Sequence, residues 1–83
     1  MNDGSRTLAF HLFGRVGAAD FPAWMQKHSA KLGVAFTIRQ RLPHLVSVEA
    51  TGAVEMLNAF ALACSLGPKS VCVERLVVED TAP

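Results

Sequence analysis

Apolar residues along this chain come in short and longer groups, separated by glycine, proline or brief polar breaks. Residues 8–13 (L-A-F-H-L-F) form an apolar run closed by Gly14, the length of a strand. Asp20 then stands where a helix opens. Pro22 is tolerated in its first turn because the N–H it lacks would find no partner there. Phe21, Trp24, Met25, His28 and Leu32 recur at the spacing of one helix face, and Gly33 supplies the stop.

Residues 34–41 alternate, with Phe36 and Ile38 set against Thr37 and Arg39, the pattern of a half-buried strand. Leu42, Pro43 and His44 make the turn, since proline suits a turn and cannot donate in a central ladder. Residues 45–51 alternate again. Val46, Val48 and Ala50 form the apolar row, while Ser47 and Glu49 form a polar row expected to stay wet. A second helix is predicted over 53–66, with Val54, Leu57, Phe60, Ala61 and Cys64 on its inner face and Gly67-Pro68 as its end.

The last strand, 70–79, changes phase part-way. Val71 and Val73 share one parity, Leu76 and Val78 the other. A bulge at Glu74 and Arg75 would bring all four onto one face, because a single extra residue restores the alternation. Cys72 would then face away from the core and Cys64 into it, which speaks against a disulfide between them. The order strand, helix, strand, strand, helix, strand predicts a ferredoxin-like α/β sandwich: a four-stranded antiparallel sheet with both helices packed on one face.

Length and composition sharpen this picture. Eighty-three residues suit one small domain, and 51% hydrophobic against 18% charged residues suits a packed core rather than a disordered chain. The ordered part is expected at about 7–80, with residues 1–7 and 81–83 as frayed ends. A net charge of +1 offers no clustered basic face for nucleic acid. No apolar run approaches a membrane span and no signal-peptide pattern opens the chain, so a cytoplasmic location is expected. Cys64 and Cys72 lack C-x-x-C spacing, and His11, His28 and His44 form no metal-ligand pattern, so neither metal nor other cofactor is expected.

One stretch carries a resemblance. G-R-V-G-A-A-D-F-P-A-W (residues 14–24) resembles the phosphate-cradling loop of acylphosphatases, whose usual pattern is G-R-V-Q-G-V-G-F-R. L-G-V-A-F-T-I-R-Q (residues 32–40) resembles that family's L-G-L-x-G-W-V-R-N segment. Gly52, Gly67-Pro68 and the V-x-V-x-x-L-x-V of the last strand also fall where the family has them. The resemblance covers residues 8–79. It implies a phosphate loop formed by Arg15, Val16, Gly17, Ala18, Ala19, Asp20 and Phe21. It also implies two catalytic positions, an arginine pairing with phosphate oxygens and an asparagine orienting the attacking water, for metal-free hydrolysis of carboxylic–phosphoric mixed anhydrides.

Both catalytic positions are substituted. Pro22 stands at the arginine's place and offers no charge and no donor, where arginine would supply a bidentate charge-assisted clamp. Gln40 stands at the asparagine's place and carries its amide one methylene further out, where a shift of about 1 Å can cost on the order of a hundredfold. Asp20 replaces a small glycine with a carboxylate; as a helix cap it would occupy the amides an anion needs and repel it. Arg15 and Arg39 read as solvated surface residues, Arg39 on the opposite strand face from Gln40. His28 reads as a satisfied, partly buried residue, His11 as a residue of the open sheet face, and Trp24 and Met25 as helix core.

The resulting expectation is an acylphosphatase-like protein with lost or very weak hydrolysis, acting as a small binding or interaction module. One alternative is an active acylphosphatase whose site is remodelled around Gln40 and Arg15. Another is a ferredoxin-like dimerisation or small-ligand domain unrelated to phosphate. Phosphate or acyl phosphate binding is expected to be weak, and the protein to be a monomer or a weak edge-to-edge homodimer.

Overall fold

A computed structural model describes residues 4–81. Its elements are β1 (Ser5–Arg15), α1 (Phe21–Leu32), β2 (Ala35–Leu42), β3 (Leu45–Ala53), α2 (Val54–Leu66) and β4 (Cys72–Asp80). The strands lie in the order β2-β3-β1-β4, and every neighbouring pair is antiparallel. This is the ferredoxin-like βαββαβ arrangement that the alternation of strand and helix periods predicts.

Alternation within the two central strands creates the core. Phe10 and Leu12 of β1 and Val46, Val48 and Ala50 of β3 are buried on one face. Phe21 and Met25 of α1 and Leu57, Phe60, Ala61 and Cys64 of α2 close over that same face. Phe60 sits at the centre, its ring 6.2 Å from Phe10 and 5.5 Å from Phe36. Full burial of each such side chain contributes about 1.5–3 kcal/mol.

The β4 bulge is present. Phe13 pairs with Arg75 and Gly14 with Val73, leaving Glu74 as the extra residue. Val71 is buried, and Val73 and Leu76 pack against the core, whereas Val78 is half exposed near the sheet end. Gly14 makes the bulge possible. Its φ is 142°, and a Cβ there would lie 2.9 Å from the Glu74 nitrogen and well inside contact distance of the Cys72 carbonyl oxygen.

Several expectations need correction. Ser5 to Thr7 belong to β1 rather than to a frayed end, paired with β3 through Ser5–Ala53 and Thr7–Thr51. At the other end Thr81 is bonded back to Thr7, its N–H at 3.3 Å and its hydroxyl at 3.0 Å from the Thr7 carbonyl. Residues 1–3 and 82–83 lie outside the described residues. Val54 is substantially exposed instead of facing the core, because it is the first residue of α2 and lies clear of the buried stripe. β2 carries a second register shift: Ile38 pairs with Val48 but Gln40 with Ser47, which leaves Arg39 as an extra residue. Simple parity along β2 therefore fails beyond Ile38.

Candidate functional site

The loop between β1 and α1 is held by backbone bonds to the β2–β3 turn. Gly14 N–H donates to the His44 carbonyl at 3.2 Å and Val16 N–H to the Pro43 carbonyl at 3.0 Å. Val16 is fully buried and pins the loop to the core. Gly17 then crosses Pro43 so closely that a Cβ would lie 2.8 Å from the Pro43 Cα. A side chain at position 17 would push the loop off the turn.

Beyond Gly17 the chain turns into α1. Phe21 N–H donates to the Ala18 carbonyl at 3.2 Å and Trp24 N–H to the Asp20 carbonyl at 3.1 Å. The N–H groups of Gly17, Ala18, Ala19 and Asp20 have no acceptor among the described residues. They sit together before a helix N-terminus, where successive free amides and the helix dipole favour an anion. The side chains of Gly17, Ala18 and Ala19 are small enough to leave those amides uncovered. Val16 and Phe21 belong to the same loop but to its buried walls, and their amides are already engaged.

Asp20 corrects the sequence reading. It occupies the N-cap position with φ −86° and ψ −2°, but its side chain makes no capping bond. Its Oδ1 instead accepts a hydrogen bond from Ser70 Oγ in the α2–β4 connection. The carboxylate therefore ties two loops together and leaves the amides of the helix end unoccupied. Its negative charge nevertheless remains within the loop.

Pro22 lies in the first turn of α1 and brings neither charge nor donor. Arg15 is exposed at the start of the loop and forms no ion pair among the described residues. Arg39 is committed elsewhere, its guanidinium 2.8 Å from Glu49 Oε1. Gln40 is exposed and stands opposite Ser47 in the register. The bulge removes the premise that placed Arg39 and Gln40 on opposite faces.

A second polar constellation lies across the open sheet face. His11 Nδ1 is 2.9 Å from Ser47 Oγ and its Nε2 is 3.1 Å from Glu79 Oε1. An ionised carboxylate only accepts, so Nε2 carries a proton; in the neutral imidazole Nδ1 then accepts from the Ser47 hydroxyl. Ser47, expected to be wet, is buried under this arrangement. Alternation in the sequence identifies the polar row, but only the register brings His11 opposite Ser47.

The remaining candidates are structural. Met25 is fully buried, and half-buried Trp24 bridges the helices by donating its Nε1–H to the Ala63 carbonyl at 2.9 Å. The His28 ring lies 4.5 Å from the Trp24 ring at a tilt of 52°, and its buried Nε2 has no hydrogen-bond partner among the described residues, contrary to the satisfied residue expected there. Cys64 is buried and Cys72 exposed, both as free thiols, and burial pushes the Cys64 pKa up to about 12. Among the described residues no three potential metal ligands converge, and no helix is long and apolar enough to cross a membrane.

The fold of this chain is also that of solved acylphosphatases. A structure of an acylphosphatase from Coxiella burnetii matches 99% of this chain and 90% of its own with a TM-score of 0.88 at 15% identity. The acylphosphatase crystal structure from Bacillus subtilis matches 93% of this chain and 86% of its own with a TM-score of 0.82 at 22% identity. Those identities speak for the fold alone. Sequence relatives go further. An acylphosphatase of Koribacter versatilis is 32% identical over 84 residues, spanning all of this chain and 76% of the relative. One of Mesorhizobium japonicum is 29% identical over 87 residues, spanning all of this chain and 93% of the relative. No family model matches the sequence. The chain belongs to the acylphosphatase family.

Proposed function

We propose that this family member hydrolyses acyl phosphates very weakly or not at all, and that it serves as a small binding or interaction module. The observation that carries this reading is Pro22 in the first turn of α1. At that position the family resemblance implies an arginine clamping the phosphate. Loss of one oxyanion donor from an active site costs about 2.7–4 kcal/mol, and loss of a charged bidentate clamp at least as much. The Asp20 carboxylate adds a like charge within the same loop. Two free thiols, one of them exposed, suit a reducing, cytoplasmic setting.

The uncovered amides of Gly17, Ala18 and Ala19 retain a capacity for weak anion contact. Inorganic phosphate should shift those three amide resonances only at millimolar concentration. Saturation below about 0.1 mM, equivalent to roughly −5.5 kcal/mol, would contradict the reading. The decisive experiment is benzoyl phosphate hydrolysis by the purified protein, beside Pro22→Arg. Wild-type turnover at background is expected. Strong wild-type turnover would favour a remodelled enzyme instead, in which Arg15, free of any ion pair among the described residues, holds the phosphate and Gln40 the water.

A further inference from the structure

The β1–α1 loop and the α2–β4 connection are joined by the hydrogen bond that Ser70 Oγ donates to Asp20 Oδ1. Its two ends are held differently. On the Ser70 side the chain is firm. Val71 is buried, its N–H donates to the Pro68 carbonyl at 3.0 Å, and Gly67 lies so close that a Cβ there would be 2.9 Å from Val71 Cγ1. On the other side Val16 and Phe21 are buried anchors. Between them Gly17, Ala19 and Asp20 are exposed, and the N–H groups from Gly17 to Asp20 have no acceptor among the described residues.

An aspartate at the start of a helix has a second use. As an N-cap its carboxylate would accept from the N–H of the second or third helical residue. The second is Pro22, which has no N–H, so Ala23 is the one target left. The Ala23 N–H has no acceptor among the described residues. Capping also calls for an extended ψ, whereas Asp20 has ψ −2°. The bond to Ser70 and the cap are therefore exclusive settings of one residue. Pro22 weakens the cap by withdrawing one of its two targets, and Ser70 supplies the competing donor.

We propose that Ser70 is a latch on the β1–α1 loop: by holding the Asp20 carboxylate it stops that group from turning onto the α1 N-terminus, and so keeps the loop amides open to an anion. The second half rests on the reading of Gly17, Ala18 and Ala19 as a weak anion contact. Without the Ser70 hydroxyl the cap is preferred about fivefold, the population ratio of a typical N-cap bond, so about one molecule in six keeps the open setting. Ser70 is a positioning residue, acting through Asp20 without touching the anion.

Amide NMR on wild type, Ser70→Ala, Ser70→Thr and the double variant Ser70→Ala with Asp20→Ala tests this. Without phosphate, Ser70→Ala should move the Ala23 amide resonance downfield and slow its hydrogen exchange, as a new bond does. Ser70→Thr keeps the hydroxyl and should keep the wild-type Ala23 position. The double variant should lose the Ala23 response, because no carboxylate remains to cap. With inorganic phosphate, Ser70→Ala should need about sixfold more than wild type for equal shifts at Gly17, Ala18 and Ala19, and the double variant should recover. Both changed positions are exposed, so the fold should survive, which circular dichroism verifies. An Ala23 amide unmoved by Ser70→Ala, or moved equally in the double variant, would overturn the latch. So would equal phosphate responses of Ser70→Ala and wild type. A phosphate response absent from every protein, wild type included, would sink the anion reading, while the Ala23 shift would still uphold the latch.

Discussion

Gly14 stands near the end of β1, just before the β1–α1 loop, and permits the bulge against β4, so adding one methyl group there tests how the loop is held. Two penalties combine in Gly14→Ala. A φ of 142° is nearly closed to residues with a Cβ, a strain of about 1–3 kcal/mol. The added Cβ also meets backbone, 2.9 Å from the Glu74 nitrogen and nearer still to the Cys72 carbonyl oxygen. Backbone in a paired strand cannot move aside as a flexible side chain can, and such overpacking costs about 1–3 kcal/mol. The sum is about 2–6 kcal/mol, with a midpoint of about 4 kcal/mol.

Gly33 is the control. It ends α1 at φ 68°, and a Cβ there meets nothing within 4 Å. Gly33→Ala therefore carries conformational strain alone, about 1 kcal/mol. For a domain of this size each kcal/mol lowers Tm by about 4–8 °C, so at the midpoint Gly14→Ala should lose about 16–32 °C and Gly33→Ala about 4–8 °C. Urea titration and thermal circular dichroism on both variants give the comparison. Equal losses would refute the claim that the close β1–β4 approach at the bulge requires glycine.

Three further outcomes are expected. Groups acting as a catalytic unit are non-additive, so Pro22→Arg, Gln40→Asn or Asp20→Gly alone should do little, while the triple variant should show measurable benzoyl phosphate hydrolysis; a folded but inert triple variant would show that the loop backbone has departed from the catalytic geometry. The Cys64 thiol, pushed by burial from an ordinary value of 9.0 up to about 12, stays protonated in the native state while the unfolded thiol ionises. Its stabilising contribution is thus complete below pH 9 and is lost as pH rises towards 12, and native alkylation at mildly alkaline pH should modify Cys72 and spare Cys64. Trp24→Phe removes the Nε1–H bond to Ala63 and should cost about 1 kcal/mol by urea denaturation without altering the helix signal; no loss would mean that packing alone joins α1 to α2 at this point.

Legibility of the site in the sequence was uneven for physical reasons. The small residues at 17–19 and the substitutions at Pro22 and Gln40 are matters of residue identity, visible in one dimension. Asp20 is different. An aspartate before a helix reads as a cap, yet its side chain had two sets of donors to choose from, its own helix amides and the Ser70 hydroxyl fifty residues away. Local preference could not decide between them. The same holds for Ser47, whose burial depends on His11 from a neighbouring strand.

Periodicity alone determined the order of strands and helices, the apolar rows of β1 and β3, the inner face of α2 apart from Val54, and the bulge in β4. Each follows from the fixed repeat of its element, and a phase change in an otherwise regular apolar row announces an extra residue. Tertiary structure decided whatever depends on a partner distant in sequence. It set the extension of β1 back to Ser5, which exists because β3 supplies the ladder. It set the bulge at Arg39, which leaves no mark in a polar stretch with no apolar phase to break. It also turned the Asp20 carboxylate to Ser70, because contacts between distant segments, unlike helical or strand repeats, are fixed only when the elements pack.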